Sequence, residues 1–72
     1  MQTTRRLGPW QQSILADARQ YGVVTWSEVQ PRGRAREYSG RYRTRFIALG
    51  SVPGYQIGPY GPRGGLALRY VG

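Results

Sequence analysis

The small supply of large apolar side chains limits most strongly what this chain can fold into. A domain of 72 residues buries only about 60% of the surface that its unfolded chain exposes. The chain has no Cys and no His, so neither disulfides nor the usual zinc sites can replace a core. Its large side chains are two Trp, six Tyr, one Phe and about a dozen aliphatic residues. We therefore expect modest stability unless a partner or a dimer adds to it.

The same two absences exclude most catalytic chemistry. Without Cys or His there is no thiolate nucleophile and no imidazole acid or base. The only carboxylate side chains are those of Asp17, Glu28 and Glu37, too few to hold a hydrolytic metal. We predict a protein that is not an enzyme, with no catalytic residue, no metal, no cofactor and no small-molecule ligand.

Arginine supplies all of the side-chain positive charge. The 11 basic residues are all Arg and face three acids, which gives a net charge of +8. Six of them fall between Arg32 and Arg45, a segment with one acid, Glu37. A guanidinium offers a planar fork of donors to phosphate or guanine and stacks on aromatic rings. GC-rich coding would explain Arg in place of Lys but not the excess of bases over acids, so we expect a polyanionic partner.

Nothing in the sequence is typical of a membrane protein. No stretch is long and apolar enough to span a bilayer, and the polar N-terminus has no apolar segment of a secretory signal behind it. No segment joins a long apolar face with a basic one, as a membrane-surface helix does. We expect no membrane partner and a cytoplasmic, intracellular protein, associated with the nucleoid if it binds DNA.

The first third of the chain predicts a basic arm and then a helix. Residues 1–8 carry two Arg and no apolar pattern, so they form either a frayed terminus or an arm along a nucleic-acid backbone. Pro9 suits a helix start and Gly22 suits its end. Asp17 and Arg19 are expected to be solvated. One face of the predicted helix, residues 9–21, carries an apolar stripe: Trp10, Ile14, Leu15, Ala18 and Tyr21.

A short strand, a short helix and a basic loop are predicted next. The β-branched pair at residues 23–24 favours a strand. Thr25 and Glu28 have the spacing of a capping box, in which each side chain satisfies the other residue's backbone N–H. Pro31 ends the helix that starts there, so residues 31–37 are interpreted as a basic loop.

A third helix is predicted with an apolar stripe on one face and a mixed basic face opposite. The stripe consists of Tyr38, Tyr42, Phe46 and Leu49. The opposite face, with its flanks, consists of Gly40, Arg41, Arg43, Thr44, Arg45 and Ile47. Gly40 costs about 1 kcal/mol inside a helix, so Ser39 is a candidate cap, and Gly50 is expected to end the helix.

The mixed face suits the base edges of a DNA major groove. Arg43 supplies a guanidinium for guanine or phosphate, Thr44 a hydroxyl, and Ile47 an apolar contact for a thymine methyl. The alternative is that Ile47 covers a neighbouring element and that the arginines are merely solvated.

The Gly/Pro-rich remainder, residues 53–72, predicts a β-hairpin. Strands at 55–57 and 66–71 are joined by an eight-residue loop with Arg63 near its tip. A slim loop of this kind can enter a minor groove or follow phosphates, and Tyr60 can stack on a sugar or base. A spacer without a role is the alternative.

The order of these elements resembles the winged-helix variant of the helix-turn-helix family. The likeness covers about residues 10–72 and is carried by segments 10–15, 25–29 and 41–49 and by the hairpin. It implies an α+β fold of three helices with a C-terminal β-hairpin wing, in one domain over residues 9–72. It also implies that the third helix docks in the major groove while the wing touches the minor groove or backbone. The connection at 31–37 departs from the family because it is longer and more charged than a tight turn.

The candidate DNA-binding residues combine the basic loop, the third helix and the wing. They are Arg32, Arg34, Arg36, Arg41, Arg43, Thr44, Arg45, Ile47, Tyr60 and Arg63. The leading hypothesis is a binder of double-stranded DNA, acting as a transcriptional regulator or an accessory recombination factor of the kind that phages and plasmids carry. Two alternatives stay open: a non-specific binder of RNA or single strands, and a winged-helix protein-interaction module acting on host machinery. A homodimer or a protein partner is compatible with each.

Overall fold

A computed structural model describes residues 7–72 and has the mixed α+β fold expected from the sequence. Three helices pack with a three-stranded antiparallel sheet. The helices are α1 (Pro9–Tyr21), α2 (Trp26–Val29) and α3 (Ser39–Ala48), and the strands are β1 (Val23–Thr25), β2 (Tyr55–Gly58) and β3 (Ala67–Tyr70). Most of the predicted basic arm lies outside the described residues. Within residues 7–72 no helix is long and apolar enough to cross a membrane.

Helix α1 begins and ends where the sequence predicts. Pro9 occupies its first turn, and at its end the Gly22 N–H donates to the Ala18 carbonyl at 2.8 Å. Gly22 has a φ of 91°, a conformation that favours glycine. The prediction that Tyr21 belongs to the buried stripe is wrong, because α1 ends at this residue and leaves it 70% exposed.

The predicted capping box forms at the start of α2. The Thr25 N–H donates to Glu28 Oε1 at 2.8 Å, and the Glu28 N–H donates to Thr25 Oγ1 at 3.3 Å. The next backbone N–H, that of Trp26, donates to the Leu66 carbonyl at 2.9 Å. The start of α2 is therefore fixed both locally and to the second half of the chain.

The segment between α2 and α3 is more ordered than a loop. Gly33–Arg36 form a 3₁₀ turn in which Ala35 is fully buried, because it is the one apolar residue of the segment. Arg32 pairs with Asp17 of α1 at 2.9 Å between Nη1 and Oδ2, so the expectation that Asp17 is simply solvated is wrong. The basic connection is held against α1 and does not hang free.

Helix α3 buries the predicted stripe only in its second half. Phe46 and Leu49 are fully buried and Tyr42 is half-buried. Tyr38 is 50% exposed, since it is the N-cap with a φ of −122° and ψ of 48° and so lies outside helical geometry. Its position also corrects the prediction that Ser39 is the cap.

Gly50 has a packing role in place of the predicted helix-ending one. A 3₁₀ turn over Leu49–Ser51 continues the chain past α3. A Cβ at Gly50 would lie 2.9 Å from the Cβ of Ile57, so the absent side chain lets β2 approach closely.

The sheet has the order β1-β3-β2, with the predicted hairpin formed by β2 and β3. Gly58 pairs with Ala67, which places the connecting loop at residues 59–66, one residue later than predicted. The Tyr55 hydroxyl donates to the Leu15 carbonyl at 3.2 Å and ties the hairpin to α1. The core between the sheet and the helices consists of Ile14, Leu15, Ala18, Val24, Val29, Phe46, Leu49, Val52 and Leu68.

Two tryptophans close the core at its edge. Trp10 packs edge-on to Trp26 with ring centroids 6.4 Å apart, and Trp26 packs on Phe46 at 5.5 Å. Trp10 also meets Tyr42 of α3 edge-on at 4.9 Å. Trp10, Trp26 and Phe46 therefore pack in series, with Phe46 fully buried and both tryptophans half-buried.

Phe46→Ala is expected to destabilise the fold by about 3–5 kcal/mol, because it removes a fully buried ring and leaves a cavity. The adjacent Ile47→Ala is a matched control, since Ile47 is 44% exposed and should change the free energy of unfolding by only about 0.5 kcal/mol. Urea unfolding followed by circular dichroism measures both. A Phe46→Ala protein that unfolds cooperatively at the same urea concentration as the wild type would contradict the assignment of the core.

Candidate nucleic-acid interface

The outward face of α3 presents the residues predicted for the major groove. Arg41, Arg43, Thr44, Arg45 and Ile47 are all exposed. The Thr44 hydroxyl donates to the Gly40 carbonyl at 3.3 Å, which leaves its oxygen able to accept from outside. A guanidinium, a hydroxyl and a branched apolar group thus lie on the exposed surface of one helix.

Each arginine of α3 lies over an aromatic ring. The Cζ of Arg41 is 5.9 Å from the ring centre of Tyr38, and that of Arg45 is 4.9 Å from the ring centre of Tyr42. Arg43 lies 5.8 Å above Trp26 of α2. Contacts within about 6 Å attract a cation to the ring and restrict the long side chain without neutralising its charge. The three guanidiniums are therefore steered and still available to an anion.

Arg43 and Arg63 come from different elements to line one open cleft of about 550 Å³. The cleft lies between α2, α3 and the loop joining β2 to β3, which we call the wing (residues 59–66). The aromatic ring of Trp26 and the side chains of Pro62 and Leu66 contribute apolar surface. The remaining lining residues are Thr25, Ser27, Gly61 and Gly65. The cleft therefore combines apolar walls with two cations.

Arg43 also borders a second open cavity, of about 430 Å³, toward the start of α3. Its other lining residues are Trp26, Ser27, Gln30, Ser39 and Gly40. The guanidinium of Arg43 thus stands between two recesses of the same surface. This position makes it the central cation of the candidate interface.

The tip of the wing is a closed turn. The Gly61 N–H donates to the Gly65 carbonyl at 2.9 Å, and the Gly64 N–H donates to the Gly61 carbonyl at 3.0 Å. Gly64 has a φ of 75°, which a residue with a side chain adopts only with strain. Arg63 is exposed on this turn. The tip is thus a compact, hydrogen-bonded turn that presents the guanidinium of Arg63 to solvent.

The arginines of the basic connection are not equivalent. Arg34 and Arg36 are exposed, whereas the guanidinium of Arg32 is engaged by Asp17. That contact is the only ion pair among residues 7–72, and the side chain of Arg32 is 40% exposed. The structure therefore gives Arg32 a role in holding the connection, while the other candidate arginines keep their charges unpaired.

Tyr60 lies back against the hairpin. Its hydroxyl donates to Gln56 Oε1 at 3.3 Å, and the guanidinium of Arg69 lies 4.0 Å from its ring centre. The ring also lies against Gly58, where a Cβ would come within 2.8 Å of the Tyr60 Cζ. Arg69 therefore already stacks on the Tyr60 ring, which the sequence predicts as a stacking partner for a sugar or base.

Seven of the nine residues that line the cleft are absent from the candidates predicted from the sequence, among them Thr25, Trp26 and Ser27 at the start of α2. Trp26 packs on Phe46 of the core, and it also lines the cleft, where Arg43 lies over its ring. The capping box placed Ser27 at the start of α2 without showing what that turn would face. The available signal was local, whereas the cleft joins the start of α2 to a loop more than thirty residues later in the chain, with Arg43 of α3 between the two in sequence.

No group of three or more His, Cys, Asp or Glu that could hold a metal occurs in the described part of the chain. Comparison of the chain with protein-family models, with curated proteins and with solved structures finds no match. The interpretation of the surface therefore rests on its geometry and charge.

Gly61→Ala is expected to open the wing tip, because a Cβ there would lie 2.9 Å from the Gly65 carbonyl oxygen that accepts its N–H. The lost hydrogen bond should cost about 1 kcal/mol. Gly65→Ala is the control, since nothing lies within 4 Å of a Cβ at that position. In a two-dimensional NMR spectrum, only Gly61→Ala should shift the indole N–H signal of Trp26, while that of Trp10 stays. Equal shifts in both variants would show that the tip does not set the shape of the cleft.

Proposed function

We propose that this chain binds double-stranded DNA as a winged helix, with α3 in the major groove and the wing on the backbone or minor groove. The observation that carries the proposal is the cleft that Arg43 of α3 and Arg63 of the wing line together. Two cations that line one groove from different elements suit a sugar-phosphate strand lying in it. In this arrangement α3 and the wing contact the duplex on either side of that strand.

The architecture supports this use of α3. The element order is helix, strand, helix, helix, strand, strand, and β1 joins the hairpin through β3. Gln11 Nε2 of α1 donates to the Arg45 carbonyl at 3.1 Å, while the pair Arg32–Asp17 holds the connection that precedes α3. These contacts add to the burial of Phe46 in restraining the orientation of α3, which a helix that contacts base edges needs.

We assign the exposed side chains of α3 to two roles, contacts with base edges and contacts with backbone phosphates. Thr44 and Ile47 offer a hydroxyl and an apolar contact to base edges, and Arg43 offers a fork to guanine or phosphate. Arg41 and Arg45 flank that face, where the phosphates of the two strands run. This division predicts that affinity comes mainly from arginines and sequence preference from the uncharged pair.

The charge of the chain fits a phosphate partner. The net charge is +8, and among residues 7–72 only Arg32 meets a carboxylate. Neutralising about six phosphates would release counterions and give a slope near −5 of log affinity against log salt. In the cell, we propose that the protein is a transcriptional regulator or an accessory recombination factor of phage or plasmid type, without catalytic activity.

One observation favours the runner-up, a binder of single strands or RNA. Tyr38 is 50% exposed with Arg41 beside its ring, the combination on which an unpaired base can stack. A stacking platform needs several such rings in a row, however, and Tyr42 and Phe46 are turned into the fold. The duplex therefore remains the better-supported partner.

The roles assigned to α3 and the wing predict different losses on mutation. Arg63→Ala should weaken binding to every duplex by a similar factor and lower the magnitude of the salt slope by about one. Thr44→Ala or Ile47→Ala should weaken only the preferred site, by about 1 kcal/mol, at an unchanged slope. Fluorescence anisotropy with a selected site and a random duplex, over a series of salt concentrations, measures both effects. If all three variants lost the same affinity on both duplexes, the proposed docking would be overturned.

A further inference from the structure

The outer face of the sheet carries an arginine that the candidate interface does not include. Arg69 of β3 lies between Val23 of β1 and Gln56 of β2 in the strand register. Its neighbour Leu68 is fully buried, so the alternation of the strand turns Arg69 outward, where it is exposed. The pair of Gln56 and Arg69 lies two residues along the strands from Gly58 and Ala67, where the wing begins.

The guanidinium of Arg69 is held from two sides. Its Nη2 donates to Gln56 Oε1 at 2.7 Å, a short charge-assisted hydrogen bond, and its Cζ lies 4.0 Å from the ring centre of Tyr60. The Tyr60 hydroxyl donates to the same Gln56 oxygen at 3.3 Å. One amide oxygen thus orients both the guanidinium and the ring on which it stacks.

The backbone is shaped to permit this arrangement. The Tyr60 ring occupies the space where a side chain at position 58 would lie, with 2.8 Å between a Cβ there and the Tyr60 Cζ. The Tyr60 N–H donates to the Gly58 carbonyl at 2.9 Å, which turns the chain back over the strand. Gly58 therefore allows the wing to return a tyrosine to the sheet.

The contacts of Arg69 with Gln56 and Tyr60 leave its positive charge without an anionic partner among the described residues. A guanidinium has five N–H donors, and in the described residues its side chain makes one hydrogen bond, to a neutral acceptor. No carboxylate pairs with it in that part of the chain, in contrast to Arg32, which meets Asp17. Because stacking and hydrogen bonding already restrict the side chain, an anion that binds it causes little further loss of side-chain entropy.

We infer that Arg69, positioned by Gln56 and Tyr60, binds a backbone phosphate of the duplex and extends the interface from the wing onto the outer face of the sheet. The inference rests on the proposed function. A single guanidinium holds free phosphate weakly, whereas a phosphate of a duplex already docked on α3 and the wing is presented at high effective concentration. Tyr60 then acts as a positioning residue for Arg69.

The test compares duplex affinity over a series of salt concentrations for three arginine variants. Arg69→Met removes the charge but keeps a long apolar stem, and we expect a three- to tenfold loss of affinity with a salt slope lower in magnitude by about 0.9. Arg69→Lys keeps the charge and loses the stacked fork, so most of the slope should remain while affinity falls. Arg19→Met is the matched control, since Arg19 also stacks on a ring, that of Tyr70 at 5.6 Å, and should change neither quantity.

Gln56→Ala provides a second test of the inference, because it keeps the positive charge of Arg69. It removes the oxygen that orients Arg69, so affinity should fall about threefold at an unchanged slope, with the melting temperature of each variant recorded alongside. If Arg69 only stiffened the wing, Arg69→Met would leave the slope at the wild-type value, and that result would overturn the inference. If Arg63→Ala still lowered the slope, the proposed function would survive that failure. Absence of salt-dependent duplex binding by the wild type would overturn both.

Discussion

The burial of a single side chain, Phe46, sets the orientation on which the candidate interface depends. It is the only residue of α3 that is fully removed from solvent, and it packs on Trp26, which in turn meets Trp10 of α1. A helix fastened at one point could rotate about its own axis. Here the edge-on contact of Trp10 with Tyr42 and the hydrogen bond from Gln11 to the Arg45 carbonyl supply further restraints. The basic face of α3 therefore points outward, because Phe46 and Tyr42 hold the opposite face against Trp26 and Trp10.

Aromatic rings serve both the core and the surface in this small chain. Trp26 contacts Phe46 on one side and lies under Arg43 on the other, and Tyr42 lies between Trp10 and Arg45. A domain with so few large side chains gains from such double use, because each ring buries apolar area and also restrains a guanidinium. Stability and the candidate interface are consequently coupled. Substitutions of these rings would change both, whereas substitutions of the arginines would change mainly the surface.

Local signals in the sequence predicted the helices and strands but not the contacts that bring them together. The ends of α1 follow from Pro9 and Gly22, and the start of α2 follows from the spacing of Thr25 and Glu28, because each depends on backbone groups within a few residues. Ala35 lies in a basic segment without apolar periodicity, so neither periodicity nor charge could show its burial. The same holds for the pairing of Arg32 with Asp17 and for the cleft that joins α2, α3 and the wing.

The most direct test of the account is the affinity of the chain for a duplex, a single-stranded DNA and an RNA of matched sequence, each measured over a series of salt concentrations. We predict that the duplex binds tightest, with a slope of log affinity against log salt near −5. We also predict that a variant carrying Arg41→Glu and Arg43→Glu loses this binding while its helical circular dichroism is unchanged. Equal or tighter binding of the single strand, or duplex binding that salt does not weaken, would contradict the account.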